Sequence, residues 1–577
     1  MNLIKLVLSM MDEKMLMLLI FILAAAVALT VSHAVLVKKK KSLKVWRILC
    51  LIPLVVCLVH FAFCHLRGGW GYTLFFYGIL YLTAGVIAVW QFFSGRKHGY
   101  RVMTVLVYLS VVASILTVIS VAGMVSSIHN FTAMNYTEAF RAAVDTMQEE
   151  YVLSEWKEID YEALEAEILP MVEQAEQEQD AAAYNIALMT YCYRFYDAHV
   201  QYNIEDEQVM QEVCDRLAGN DYGFSMITLD NGDTIAVLAE GEGVAFQAGI
   251  HDGTVITKWN GVAVEEAKKE VECIYPGMLT FPVAENEAYM QTIFLAGTGE
   301  EENTITFLDD NGKEQTAVIP SLGSYRQRLE TAIKAFYHSE IPDENFSVRM
   351  LTEECGYLRI SSEIIQPFSP GYSMTGDYTE LASLLDESLE NLREEGMTKL
   401  IIDLRNNTGG SDDIGAAVAS LFAEEEYFSH ANGIYEDGVY TSVDACVVSA
   451  NGRFADVEVV VLVNAECCSA GDGMAENFSR LPNVTIMGIT TSTGVDQNVG
   501  GLCIMPDSQS TIGYPNGPVL DENNEPRIDT RADRVTRIPL DVHIPLTEAA
   551  AEIIFGGDGD YELEYAIQYL EGTEETR

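Results

Sequence analysis

The sequence predicts a multi-domain chain: a four-span α-helical transmembrane region, an α-helical neck, a small β-rich domain and an α/β core with a βα-layered sheet. Three observations predict it. The chain has 577 residues, more than one ordinary domain holds. Residues 1–125 carry 12 Lys and Arg against two acids, Asp12 and Glu13, whereas 126–577 carry 23 bases and 83 acids, a net charge of −60. From about residue 346, apolar strand-like runs alternate with amphipathic helical patterns. The boundaries fall at 1–125 (anchor), 126–205 (neck), 206–320 (β-rich domain), 321–345 (a charged linker) and 346–577 (core).

In the front module, apolar segments at 15–37, 48–64, 72–93 and 102–125 each approach or exceed the roughly 18–20 residues that span a bilayer. The basic loops Lys38–Lys41 with Lys44 and Arg47, and Arg96, Lys97 and Arg101, are expected on the cytoplasmic side. The expectation is a multi-pass cell-membrane protein, embedded through four helices, with its body extracytoplasmic. Cys50, Cys57 and Cys64 recur every seven residues and read as packing. No pair of CxxC motifs appears among the eleven cysteines, so no zinc site and no cofactor are read.

The neck shows apolar positions at helical spacing over 137–150, 161–178 and 181–196, ending in YDAHVQY with His199. Residues 221–320 alternate short strand patterns with Gly/Asp turns. In the core, GYLRI (356–360) and 399–404 read as strands, with an amphipathic helix at 378–395 between them; Arg405-Asn406-Asn407-Thr408-Gly409-Gly410 and a helix at 412–422 follow. The unbroken run 459–463 predicts a buried strand, 464–468 a turn, and Ser469 opens a helix. A serine at a strand-to-helix turn sits where free N–H groups and the helix dipole converge, which suits an oxyanion. A serine N-cap is the plainer reading of the same residue.

LIIDLRNNTGG (400–410), VVVLVNAECCSAGDGMAENF about sixty residues later, and Gly488–Gly494 together resemble the C-terminal processing (tail-specific) peptidase family. The resemblance implies a crotonase-like (ClpP-like) core, with Ser469 as nucleophile and an oxyanion hole from the N–H groups of Ala470 and of Gly409 or Gly410. The β-rich segment resembles a PDZ domain of the bacterial protease type, which implies peptide binding beside Tyr222, Gly223 and Phe224. The lysine that most members place after the serine is missing: the turn reads STGVDQ (492–497), and no lysine follows Lys399. A histidine-using branch, similar to the tricorn core protease, takes its base from the helical region. There YDAHV puts His199 in that role, with Asp529 as orienting acid, Asp533 and Glu525 behind it, and His430 and His543 as alternative bases.

The expected function is a membrane-anchored serine endopeptidase acting on protein or peptide substrates, without metal or cofactor. A catalytically silent peptide-binding or sensing protein of the same fold is the alternative. The acidic body argues against nucleic acid as a partner, and nothing in the sequence sets the oligomeric state.

Overall fold

A six-stranded sheet carries the serine. In the computed structural model its strands lie in the order Val542–His543, Val484–Gly488, Glu458–Leu462, Lys399–Asp403, Cys355–Ile360 and Phe346–Met350. All neighbours are parallel except the last pair, which is antiparallel. The described residues are 128–338, 345–363, 379–506, 510–531, 534–535, 538–557 and 559–572. The chain divides into two units, Met1–Asn130 and Phe131–Arg577, and the account below concerns the second.

The near-continuous apolar runs of these strands fit a sheet buried on both faces. Val459 and Val461 pack into one cluster with Leu400, Ile402 and Ile486, whereas Val460 and Leu462 pack into the other with Tyr357, Ile401 and Met487. The second cluster continues through Tyr222, Phe224, Met226 and Ile227 of the β-rich segment. It also takes in Leu329 and Phe336 of a helix, Arg326–Phe336, in the stretch read as a linker.

The neck forms the helices Tyr136–Glu150, Tyr161–Glu178 and Ala181–Tyr193. Each begins at an Asn or Asp whose side chain accepts an N–H of the first turn: Asn135 from Glu138, Asp160 from Ala163 and Asp180 from Ala183. After the third helix a short strand, Gln201–Asn203, pairs antiparallel with Thr511–Gly517 of the core. That pairing brings the end of the neck to the serine's side of the molecule. Within 206–320, Ser225–Thr228 pairs with Thr234–Val237, and Ile256–Trp259 joins Val262–Ala263, Glu302–Leu308 and Glu314–Pro320 in a four-stranded sheet. A long hairpin, Tyr427–Glu436 with Val439–Val448, was not foreseen.

The predicted fold class needs two corrections. Among the described residues no helix is long and apolar enough to cross a membrane. Tyr161–Glu178 has 18 residues but carries Glu162, Glu165, Glu167 and Glu173, which belong to a solvated helix face. The four segments expected to span lie within residues 1–125, outside the described residues. In addition, the multi-domain reading gives way to one compact unit of mixed α/β sheets over 131–577. The physical reason is the shared apolar core, which runs from the β-rich segment into one face of the central sheet.

Candidate active site

Ser469 ends the turn after strand Glu458–Leu462 and precedes helix Ala470–Ser479. Its backbone has φ 60° and ψ −131°, and its side chain makes no capping hydrogen bond. Capping therefore does not explain this serine. Positive φ in a residue with a Cβ is strained, and such strain persists where surrounding structure holds it. Here Ser469 N–H donates to Val495 O (3.0 Å), Cys468 N–H to Asn407 O (2.9 Å) and Thr493 N–H to Cys467 O (2.9 Å). Asp472, one turn into the helix, accepts from the N–H groups of Gly494 and Val495 at 3.0 and 3.2 Å. Burial pushes its carboxyl up to about 7.

The glycine turn lies against the serine. A Cβ on Gly409 would stand 2.5 Å from Ser469 Cβ and 3.0 Å from its Oγ, and φ there is +81°. Gly410, at φ +152°, is packed onto the backbone of Glu363. The three nominated oxyanion donors are not equivalent. Gly409 N–H already donates to Asn407 Oδ1 (2.8 Å). Asn407 Nδ2 in turn donates to Glu363 Oε1 (2.8 Å), whose carboxyl burial pushes up to about 8. The N–H groups of Gly410 and Ala470 meet no acceptor among the described residues. Ala470 opens its helix, where the backbone N–H groups lack intrahelical partners.

His199 is buried, 3 % exposed, just ahead of strand Gln201–Asn203. Its neighbour Ala198 packs in one cluster with Cys468 and Val495. Val495 also forms an isolated antiparallel bridge with Asp529. Ser469, Ala198 beside His199, and Asp529 thus each meet Val495, which follows Gly494 where the resemblance would have the lysine. Among the described residues Ser469 Oγ makes no hydrogen bond, and His199 Nδ1 is buried without a partner. Burial lowers the imidazole below its ordinary range, against the opposing pull of Asp197 and Asp412.

Two residues absent from the sequence reading complete this side. Asp197 accepts His199 N–H (2.8 Å) and the Tyr151 hydroxyl (2.6 Å). Lys157 reaches Tyr196 O (3.0 Å) and Asp529 Oδ1 (3.1 Å), both side chains of that ion pair being buried. Burial raises the Asp529 carboxyl despite the ammonium beside it. Asp197 lay inside the YDAHV motif and was within reach of sequence reasoning. Lys157 carried no local signal.

The remaining nominees lie elsewhere. His543 Nε2 pairs with Asp230 Oδ2 (2.8 Å) beside a cavity of about 460 Å³ lined by Asn286, Tyr289 and Thr491. His430 faces Asp413. Glu525 closes the turn with Asp521, and Asp533 falls outside the described residues. Tyr222 and Phe224 are fully buried, with Tyr222 OH donating to Glu300 O (2.8 Å). Gly223 N–H is held by Asp221 Oδ1 (2.8 Å), and the carboxylate of Asp221 is paired with Arg328.

Residues 354–536 match the family model described as Peptidase family S41. A carboxyl-terminal-processing protease of Picosynechococcus sp. is 29 % identical over 160 residues, which cover 22 % of this chain and 36 % of the relative. The chain thus spans about a third of the length of that curated relative. Among solved structures, mature CPAF aligns with TM-score 0.48 at 13 % identity, over 77 % of this chain and 99 % of its own. The photosystem II D1 C-terminal processing protease aligns with TM-score 0.30 at 14 % identity, over 74 % and 100 %. The tricorn protease aligns with TM-score 0.33 at 15 % identity, over 76 % and 36 %.

Proposed function

We propose that this chain is a serine peptidase of the S41 type that hydrolyses peptide bonds in protein substrates, with Ser469 as nucleophile and His199 as base. One observation carries the reading: an uncapped serine at positive φ, pressed against Gly409 and flanked by the N–H groups of Gly410 and Ala470. Ser469 Oγ attacks the carbonyl carbon while its proton passes to the imidazole. The carbonyl oxygen becomes an oxyanion facing those two N–H groups. Collapse breaks the C–N bond, and the imidazole returns the proton to the leaving amine. Water, deprotonated by the same ring, then hydrolyses the acyl-serine ester. Burial keeps the ring neutral near pH 7, the form a base needs. Asp529 is read as the acid that orients it, with Asp197 and Asp412 the carboxylates whose charges act on the ring.

The segment 206–320 is read as a PDZ-like site for the substrate's polypeptide. Support comes from exposed Val244, Phe246 and Leu322, which flank the Gly223 turn and offer apolar surface to a chain end. A second reading, a silent peptide-binding member of the fold, is favoured by Val495 at the lysine's place and by the unpartnered Nδ1 of His199.

The test is cleavage of an unfolded protein by the full chain, with products identified by mass spectrometry. Ser469→Ala is expected to lower turnover at least about 10⁴-fold and His199→Ala about 10³-fold or more. Wild-type turnover that Ser469→Ala leaves unchanged would remove the nucleophile. Absence of turnover and of Ser469 labelling by a fluorophosphonate would leave the binding reading.

A further inference from the structure

Away from the serine, three ligand-type side chains from three elements meet at the base of the long hairpin. His430 and Cys446 are directly opposed across its two strands, and a register shift between Phe428 and His430 sets that pairing. Asp413, in the first turn of helix Asp412–Ser420, joins them. Their ligand atoms all lie within 4.8 Å of one another. We propose that Asp413, His430 and Cys446 bind one divalent transition-metal ion of the zinc class, which clamps the hairpin to this helix.

Distances and donor types carry the proposal. His430 Nε2 stands 3.4 Å from Asp413 Oδ1. That is long for a charge-assisted hydrogen bond. It is close to the edge, about 3.3 Å, of a tetrahedron whose metal–ligand bonds are about 2.0 Å. The other ring nitrogen, Nδ1, lies 3.1 Å from Ser429 Oγ, a buried hydroxyl. With Nδ1–H donating to that oxygen, the Nε2 lone pair is left to bind a cation, the arrangement a metal-bound imidazole adopts. One sulfur, one nitrogen and one oxygen suit zinc. Calcium and magnesium take oxygen sets, and copper(I) and iron–sulfur clusters favour thiolates.

Access fits as well. His430 is 2 % exposed, but Cys446 is the one cysteine of the eight described that is not buried. The Asp413 side chain is 41 % exposed, so water can fill a fourth position. The clamp would act on the site at a distance. Strand Tyr427–Glu436 pairs with Val519–Leu520, from which the chain runs to Asp529, while Tyr440 OH donates to Val152 O of the neck (2.7 Å). An ion at the hairpin base therefore fixes both partners of the histidine side to the helix that follows the glycine turn.

The full chain, equilibrated with Zn²⁺ and desalted, should retain about one zinc per chain by elemental mass spectrometry. Alkylation of Cys446 by N-ethylmaleimide, mapped by peptide mass spectrometry, should slow about tenfold or more with zinc and recover with EDTA. His430→Asn and Asp413→Asn should each lose the zinc and the protection. Co²⁺ in its place should give a thiolate charge-transfer band that Cys446→Ser abolishes and Cys355→Ser leaves intact. Zinc below about 0.2 per chain, a Cys446 alkylation rate indifferent to zinc, or equal retention in the variants would overturn the proposal. If a variant fails to fold, the cobalt spectrum and alkylation of the wild type decide alone.

Discussion

The serine half and the histidine half of the site are held by different kinds of contact. Ser469, Gly409 and Gly410 sit on two successive strand–loop–helix units of one sheet, tied by short backbone hydrogen bonds. Lys157 comes from the neck and meets Asp529 through a buried ion pair, and His199 lies just ahead of a three-residue strand that pairs with the core. The first half is preorganised by backbone, the second by buried charge and packing. Backbone geometry should fail sharply under a small steric insult, whereas the charged half should fail through pH and through loss of one partner.

The largest effect expected from this contrast is Gly409→Ala. The added methyl must displace Ser469, and a misplacement of that size costs about 10²-fold or more in kcat/KM. Positive φ adds about 1–3 kcal/mol of instability. Normal kinetics in this variant would break the picture of a tightly set serine. On the other half, Asp529→Asn takes the carboxyl from beside the buried Lys157 ammonium, a loss of up to about 3–5 kcal/mol at a pH where that carboxyl is ionised. Lys157→Met combined with Asp529→Asn should recover much of it in thermal melts. Additive losses would mean the two side chains act apart.

Two smaller effects sharpen the comparison through pH. The base must be neutral, and burial lowers its pKa, so the acid limb of kcat/KM should fall below the ordinary histidine value of about 6.5. An acid limb above that value would point away from His199. Glu363 has its carboxyl pushed up to about 8 in the fold, against about 4.3 when unfolded. Its contribution to stability is therefore full below about 4.3 and is lost as pH rises toward 8. Glu363→Gln cannot ionise, so its stability should gain on wild type by about 1 kcal/mol or more from pH 5 to about 8. A constant difference over that range would show a carboxyl already ionised.

Legibility in the sequence follows the same division. The strands at 399, 459 and 484 and the serine turn were readable because burial on both faces writes an unbroken apolar run. Helix Ala181–Tyr193 ends three residues before the predicted 196, and the chain there turns toward strand Gln201–Asn203. That strand has only three residues, too few to show a period, and its partner lies some 300 residues away. Helix Arg326–Phe336 was hidden by its charged surface, although Leu329, Ala332 and Phe336 are buried. Lys157 was beyond reach because its pairing with Asp529 is wholly tertiary. So was the grouping of Asp413, His430 and Cys446, whose spacing follows no metal motif.

The strand pairing of Gln201–Asn203 with Thr511–Gly517 also means that, on the proposed roles, the span matching the peptidase family holds the nucleophile without its base. A gene fragment beginning at residue 346 would then encode half of the proposed site. Supplied separately, a 131–205 fragment would bring His199 and Lys157 back through a β-edge, a shared apolar cluster and a buried ion pair, which makes this chain a natural starting point for a split-protein reporter. Hydrolysis would then register the meeting of two polypeptides, and the apolar cluster shared with Ile512 and Tyr514, more than the short edge, would set how readily the signal switches off.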